Sequence, residues 1–166
     1  MTLLKKDYAP KPVTNVRDDT VLTSPFWRPS FEARSCLVPA SSYSVPDSNS
    51  PAGWHWFTLL DESEARPLFA FPGIWKRYKG PMRKDGEPVE VDVYAFMTTT
   101  PNALTATIMH DRMPVLLSGA ADFDAWLSAP LDEAFRLVRT YDAERMRIVQ
   151  SGKDKEDFLG RNLAVS

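Results

Sequence analysis

Prolines occur along the whole chain and limit how long any helix or strand can be. The 166 residues include 14 prolines and only seven glycines. Because proline lacks a backbone N–H and fixes φ near about −65°, it interrupts both helices and strand ladders. The sequence therefore predicts a chain of short elements joined by stiff connections.

Hydrophobic patterning between the prolines predicts an α+β domain with a mostly antiparallel sheet. In residues 89–98, VEVDVYAFMT, apolar and acidic side chains alternate at first, as in a half-buried strand. Residues 100–109 predict a helix with Thr100 as its N-cap and Pro101 at its first position. Further strands are predicted over 36–40, 54–60, 68–75, 114–117 and 146–149, and short amphipathic helices over 121–130 and 131–140.

Other stretches are predicted to be irregular. Residues 41–53, SSYSVPDSNSPAG, are rich in turn-forming residues and indicate a loop. Residues 76–84, KRYKGPMRK, carry five Lys or Arg and are interpreted as a solvated hairpin loop, with a local nucleic-acid patch as the alternative. We expect residues 1–12 to form an irregular segment, 13–150 to form the domain and 151–166 to form a frayed tail.

Size and charge set the broad class of protein. A chain of this length can bury a core as one domain. Its formal charge of −2 and pI near 5.7 give no overall basic character. No run approaches the roughly 18 apolar residues of a membrane helix, and the first residues, MTLLKKDYAPKP, lack the features of a signal peptide. These observations predict a cytoplasmic protein that does not contact a membrane.

A scan for familiar catalytic and metal-binding motifs is almost empty. Glycine-rich phosphate loops, HExxH, GxSxG and CxxC are all absent. Cys36, the single cysteine, lies in an apolar strand, so we expect a small core residue rather than a nucleophile. His55 lies between two tryptophans and is expected at the surface or against a partner. With one cysteine and two distant histidines, no metal site and no cofactor are expected.

The stretch His110-Asp111-Arg112 is the most unusual local feature. It puts three ionisable side chains between a predicted helix and a buried strand, where glycine, asparagine or serine would be ordinary. His110 could cap the helix C-terminus, since a cation is favoured there by the helix dipole. It could equally be a functional group whose charge responds to Asp111, Arg112 or an anionic ligand. Local chemistry alone leaves both interpretations open.

Five segments form a set that is specific in its order and spacing. They are NVRDDTV (15–21), RSCLVPASSY (34–43), LFAFPGIW (68–75), MTTTPNAL (97–104) and MHDRMPVLL (109–117). Together they closely resemble the SOS response-associated peptidase (SRAP) family, which includes abasic-site shielding proteins. The resemblance runs from about residue 13 to residue 150 and implies an SRAP-like sheet or open barrel with short flanking helices.

The resemblance also implies DNA chemistry. In that family the amine and thiol of an N-terminal cysteine condense with the aldehyde of an abasic site in single-stranded DNA, giving a thiazolidine cross-link, and the protein processes its own N-terminus. An N-terminal amine has a pKa of about 8, so part of it is neutral and nucleophilic. Asn15 would position that amine, and His110 would assist proton transfer. The implied DNA contacts are Arg17, Thr98, Thr99, Asn102 and Arg112.

Two features of the family pattern are not matched. Thr2 follows Met1 where the family has cysteine, and residue 1 aligns with the middle of the family's N-terminal region. The cysteine-bearing strand is therefore expected to be absent or encoded upstream. A family glutamate falls on Val45, which cannot move a proton. Asp47 is two residues further on, and we expect it to be a poor replacement because Pro46 and a loop-like composition intervene.

The sequence thus predicts a monomeric SRAP-like protein of the DNA-damage response that binds abasic sites in single-stranded DNA and has lost the cross-linking chemistry. One alternative is an active enzyme represented by a shortened chain. Another is a non-catalytic module in which Phe26 and Trp27, beside Arg28, stack on single-stranded DNA. The last is a decayed mobile-element remnant. Measurements of covalent DNA attachment and of salt-dependent DNA binding would distinguish these alternatives.

Overall fold

A computed structural model describes residues 2–3, 11–47, 50, 53–83, 85–108 and 111–158. The chain divides into two compact units. Unit 1 comprises residues 1–38, 70–99 and 114–139, and unit 2 comprises residues 39–69, 100–113 and 140–166.

Most elements formed by the described residues are short, as the proline distribution predicts, but two strands, Phe69–Pro81 and Pro88–Thr99, run for 13 and 12 residues. The strands are β1 (Thr2–Leu3), β2 (Lys11–Pro12), β3 (Asn15–Arg17), β4 (Ser35–Ala40), β5 (Tyr43–Pro46), β6 (Trp54–Leu59), β7 (Phe69–Pro81), β8 (Pro88–Thr99), β9 (Met113–Pro114) and β10 (Met146–Gly152). The helices are α1 (Arg28–Phe31), α2 (Ala103–Ala106), α3 (Ala120–Ser128) and α4 (Leu131–Arg136), and a 3₁₀ turn covers Ala143–Arg145.

Unit 1 is built on a sheet with the strand order β3-β8-β7-β4, and β9 also pairs with β8. Strands β7 and β8 form a long antiparallel hairpin, in register from Gly73 opposite Phe96 to Pro81 opposite Pro88. Strand β3 instead runs parallel to β8. The α+β class is confirmed, although the mostly antiparallel sheet also contains parallel pairing.

The basic stretch 76–84 is strand up to Pro81, so the predicted hairpin loop is wrong for that part. Arg77 lies 3.1 Å from Asp92, and Lys79 lies 3.1 Å from Glu90, across the β7–β8 ladder. The alternating acids of β8 therefore face these basic side chains. Because nearby carboxylates offset the positive charge, this stretch is a weaker nucleic-acid patch than its composition indicates.

The core of unit 1 is organised around Trp126 on α3, which is only 1% exposed. Its indole N–H donates to the carbonyl oxygens of Cys36 at 2.9 Å and Gly73 at 3.2 Å. A buried indole needs such a partner, since an unpaired N–H would cost free energy. The surrounding buried residues are Val16, Val21, Phe31, Ile74, Ala95, Met97, Val115, Leu117 and Ala134.

Unit 2 contains an antiparallel sheet in the order β10-β6-β5. Strand β5 lies inside the predicted loop 41–53, so that prediction is wrong for residues 43–46. The physical reason is alternation: Tyr43 and Val45 are buried, whereas Ser44 and Pro46 are not. Tyr43 stacks on Phe57 of β6 with ring centroids 5.4 Å apart. This apolar contact stabilises a strand that the turn-forming residues conceal in the sequence.

Two other predictions change at element ends. Strand 114–117 is reduced to β9 and an isolated bridge between Leu117 and Ala70. The tail is not frayed over residues 151–158, because the Gln150 side-chain amide donates to the Glu156 carbonyl and accepts from the Phe158 N–H. In the segment 1–12, the described strands β1 and β2 form an antiparallel pair.

Candidate functional site

Strand β3 presents two predicted site residues on one exposed edge of unit 1. Its residues Asn15, Val16 and Arg17 pair in parallel with residues 96–98 of β8. Val16 is fully buried, and Asn15 and Arg17 on either side of it are exposed. Since successive strand residues point to opposite faces, one apolar anchor turns both polar side chains outward.

Two buried threonines hold this edge in place. The Thr98 hydroxyl donates to the Val16 carbonyl oxygen at 3.1 Å, and the Thr99 hydroxyl donates to the Asp18 carboxylate at 2.7 Å. Thr98 is 6% exposed and Thr99 is 3% exposed. Within unit 1 these hydroxyls therefore fix the β3 backbone and the turn that follows it. Their predicted contact with DNA stays a prediction.

Arg17 is ion-paired on the protein surface. Its Nε and Nη2 atoms donate to the two carboxylate oxygens of Asp19 at 3.0 and 2.7 Å. Both side chains are about half exposed, at 52% and 48%. An exposed pair of this kind contributes about 0–1 kcal/mol, so an incoming phosphate can replace Asp19 at small cost.

Asn102 in unit 2 is the N-cap of α2 and is 8% exposed. Its Oδ1 accepts from the Thr105 N–H at 2.9 Å and from the Thr105 hydroxyl at 3.0 Å. Its Nδ2 donates to the Tyr141 carbonyl oxygen at 2.8 Å and lies 3.2 Å from the Met146 sulfur. Helix α2 therefore begins two residues after the predicted start, since Asn102 rather than Thr100 satisfies its free N–H groups.

The other predicted residues near α2 are only partly described. His110 lies outside the described residues. Asp111 is exposed and Arg112 is half-buried. The predicted roles of His110 in proton transfer and of Arg112 in DNA contact stay predictions.

His55 is half-buried rather than at the surface, because Asp47 approaches it. The two side chains are each 19% exposed, and Asp47 Oδ2 lies 3.3 Å from His55 Nε2. Val45, at the position of the family glutamate, is buried and lies directly opposite His55 in the β5–β6 register. Residues 43–46 before Asp47 are strand rather than loop, and the expectation that Asp47 replaces the family glutamate poorly stays a prediction.

Cys36 has the packed, half-buried environment expected of a structural cysteine. Burial raises the pKa of its thiol above the ordinary value, which disfavours the nucleophilic thiolate. A Cβ added at Gly73 would lie 2.8 Å from the Cys36 sulfur, so this sulfur fills the space that a side chain at Gly73 would need.

Sequence reasoning did not identify Asp18 and Asp19 as part of this site. The sequence did contain a signal for their contact with Arg17 and its strand, because both acids directly follow Arg17 in NVRDDT. Aspartate near a turn readily bonds local backbone N–H groups, and Asp18 accepts from the Asp19 N–H at 2.8 Å.

Phe26, proposed above for base stacking, is in contact with Lys76, whose ammonium lies 4.6 Å from the centroid of the Phe26 ring.

Comparison with known proteins decides the family. The model of the family "SOS response associated peptidase (SRAP)" matches residues 2–154. The chain belongs to the SRAP family. The resemblance of the five sequence segments is thereby confirmed.

Several curated SRAP relatives are similar to this chain. Abasic site processing protein YoqW of Bacillus subtilis strain 168 is 28% identical over 144 residues, which cover 82% of this chain and 58% of YoqW. Abasic site processing protein YoaM of the same strain is 26% identical over 147 residues, covering 82% of this chain and 57% of YoaM. This SRAP chain therefore spans little more than half the length of these relatives.

Solved structures support the same fold. A crystal structure of a Bacteroides thetaiotaomicron protein aligns with a TM-score of 0.66 at 27% identity, covering 82% of this chain and 58% of that one. A Bordetella bronchiseptica protein aligns with a TM-score of 0.65 at 25% identity, covering 82% and 64%. The SRAP-like α+β architecture predicted from the sequence is thus shared with these proteins.

Two properties of the described residues concern membrane insertion and metal binding. No helix in the described part of the chain is long and apolar enough to cross a membrane. No group of three or more His, Cys, Asp or Glu side chains able to hold a metal ion occurs among the same residues.

Proposed function

We propose that this SRAP chain takes part in the DNA-damage response by recognising abasic sites in single-stranded DNA, and that the β3 edge contacts that DNA. YoqW and YoaM, its relatives, are named abasic site processing proteins. The proposal assigns that activity to this chain and places the DNA contact on the β3 edge. It also retains the expectation that the protein acts as a monomer.

The observation that carries the proposal is the outward presentation of Asn15 and Arg17 around buried Val16. Asn15 offers an amide that both donates and accepts hydrogen bonds, which suits the hydroxyl and aldehyde groups of an opened sugar. Arg17 offers a planar fork for a phosphate oxygen pair. The two groups therefore match the two chemical features of an abasic site, its sugar and its flanking phosphates.

In this proposal the threonines and Asn102 each hold the backbone within their own unit. Thr98 and Thr99 hold β3 and Asp18 in position, and Asn102 holds the start of α2. Arg112 would add positive charge, and His110 would move a proton near the sugar. The proposal assigns direct DNA contact first to Asn15 and Arg17, because their side chains are exposed.

We propose further that recognition by this stretch of chain is non-covalent. The support is Val45, a buried aliphatic residue at the position that the family pattern gives to a glutamate. A valine side chain has no proton to donate and no lone pair to accept one, so it cannot assist imine formation. The second candidate, cross-linking with self-processing, requires another group to take that role.

The test is binding of the purified chain to a labelled single-stranded oligonucleotide carrying one abasic site, beside the intact strand and the duplex. We expect a native complex that prefers the abasic strand, weakens with salt and with Arg17→Ala, and leaves no band on a denaturing gel. Arg136→Ala is the matched control, because it removes another exposed arginine of unit 1. Equal loss in both variants would contradict a specific β3 contact, and a denaturation-resistant band would favour cross-linking.

A further inference from the structure

A second cluster of reactive side chains lies in unit 2, within the three-stranded sheet. His55 on β6 is opposite Ser151 on β10, and its Nδ1 lies 2.8 Å from the Ser151 hydroxyl oxygen. Its other ring nitrogen, Nε2, lies 3.3 Å from Asp47 just after β5. A serine, an imidazole and a carboxylate are thus connected in series across three strands.

We propose that Asp47, His55 and Ser151 form a proton relay that activates Ser151 as a nucleophile toward carboxylic esters. In the tautomer with its proton on Nε2, His55 faces the Asp47 carboxylate 3.3 Å away and accepts the Ser151 proton at Nδ1. This is the order of roles in nucleophile–base–acid triads, with the two ring nitrogens exchanged. The inference does not depend on DNA binding.

Exposure divides the three groups according to these roles. Ser151 is exposed, whereas the side chains of His55 and Asp47 are each 19% exposed. The nucleophile can therefore meet a substrate while the base and its carboxylate partner are largely shielded from water. Next to Ser151, Gly152 has a φ of +145°, and a Cβ there would meet nothing within 4 Å.

Local backbone contacts fix Asp47 beside the imidazole. The Asp47 N–H donates to the Gly53 carbonyl at 2.9 Å, and the Gly53 N–H donates to the Ser50 carbonyl at 2.8 Å. A Cβ at Gly53 would come within 3.2 Å of the Asp47 Cβ. These contacts hold the Asp47 backbone in place, and Asp47 acts as a positioning residue for His55.

The strand that carries Ser151 is also fixed. After Ser151 the chain turns back, and the Trp56 indole N–H donates to the Asp154 carbonyl at 3.4 Å. Lys155 lies 5.3 Å from the Trp54 ring centroid, and Asp157 pairs with Arg66 at 2.7 Å. These contacts of the segment after β10 limit the movement of the nucleophile, which a productive geometry requires.

The proposed reaction is ordinary acyl transfer. The Ser151 oxygen attacks the ester carbonyl carbon as its proton moves to His55 Nδ1. The bond to the alcohol oxygen breaks, and the alcohol leaves with that proton. Water, deprotonated by His55, then cleaves the acyl-serine, releasing the carboxylic acid and restoring Ser151. No oxidant, reductant or metal takes part.

The experiment uses a fluorophosphonate probe, which forms an oxygen–phosphorus bond to an activated serine with loss of fluoride. We expect one adduct, mapped to Ser151 by mass spectrometry and absent in Ser151→Ala. The labelling rate should fall at least about 100-fold in His55→Gln. It should also fall in Asp47→Asn and partly recover in Asp47→Glu. Ser128→Ala is the control, since Ser128 is exposed and, within the described part of the chain, its hydroxyl bonds only to the Asp124 carbonyl.

The rate of p-nitrophenol release from p-nitrophenyl acetate should rank the variants in the same order as the labelling rate does. Thermal unfolding of each variant separates loss of the relay from loss of the fold, and Asp47→Asn retains the side-chain shape if His55→Gln does not fold. No adduct on folded wild-type protein would overturn the proposal. An adduct at Ser151 that forms as fast in folded His55→Gln or Asp47→Asn protein would also overturn it.

Discussion

Two asparagines assigned to the site by the same resemblance have opposite environments. Asn15 is exposed on β3, and no described residue is hydrogen-bonded to its side-chain amide. Asn102 is 8% exposed and uses both ends of its amide within unit 2. The difference separates a side chain that is available to a ligand from one that is committed to the fold.

The arrangement of neighbouring residues explains this difference. Asn15 is next to buried Val16 on a strand, so alternation turns its amide away from the core. Asn102 precedes a helix whose first N–H groups need acceptors, so its amide turns inward. The same residue type in a family motif is therefore exposed in one place and satisfies backbone N–H groups in the other. The substitutions below test that division, beginning with the largest effect.

Asn102→Ala should destabilise the protein strongly. It removes the cap of α2 and leaves the part-buried Tyr141 carbonyl and the buried Thr105 hydroxyl with fewer partners. A lost cap costs about 0.5–2 kcal/mol and each buried group left unsatisfied about 1–3 kcal/mol, so we expect a total of about 2–4 kcal/mol. Urea unfolding measures the change. Asn15→Ala is the matched control and should stay within about 0.5 kcal/mol; equal losses would contradict the division.

Thr99→Val should have the next largest effect. The substitution keeps the side-chain shape but removes the 2.7 Å hydrogen bond to the Asp18 carboxylate. Bonds to charged groups contribute about 1.5–3 kcal/mol, and partial exposure of Asp18 places the expected loss at about 1–2 kcal/mol. Denaturant unfolding measures it, with exposed Thr20→Val as the control. If Thr99 contacts DNA rather than positioning β3, DNA binding would weaken while stability stays unchanged.

Much of the fold could be predicted because strands such as β8 have a clear alternation of apolar and polar residues. The alternation in 89–98 predicts β8, and its acids meet Arg77 and Lys79 on β7. Strand β5 could not be predicted, since Ser, Pro and Asp dominate its stretch. This stretch becomes a strand because Tyr43 packs on Phe57, which is distant in sequence. Tertiary contact thus overrides local turn propensity there.

The sequence names candidate site residues, whose roles stay predictions, but it does not show the environments of their side chains. Five motif segments identify Asn15, Arg17, Thr98, Thr99 and Asn102. Nothing in one sequence tells whether a threonine hydroxyl points to a ligand or to the strand beside it. The contact of Asp47 with His55 depends in addition on the β5–β6 register, which a predicted loop over 41–53 cannot supply.

Arg17→Ala should change DNA binding while leaving stability within about 0.5 kcal/mol, because its ion pair with Asp19 is exposed. Loss of one phosphate contact on single-stranded DNA should reduce the slope of log K against log salt by about 0.7. Fluorescence anisotropy between about 50 and 200 mM salt measures that slope. An unchanged slope beside weaker binding would mean that Arg17 does not contact a phosphate.

The smallest effect tests whether Asp19 competes with DNA for Arg17. Asp19→Asn removes the ion pair of 2.7 Å, so the guanidinium no longer has to exchange a carboxylate for a phosphate. Because exposed pairs contribute about 0–1 kcal/mol, binding of the abasic strand should tighten by at most about 5-fold. Asp124→Asn makes the same charge change elsewhere in unit 1 and reports the long-range electrostatic part alone. Tightening in Asp19→Asn beyond that of Asp124→Asn would show competition at Arg17. Equal tightening would mean that net charge alone controls binding, and the exposed edge of β3 would lose its special role.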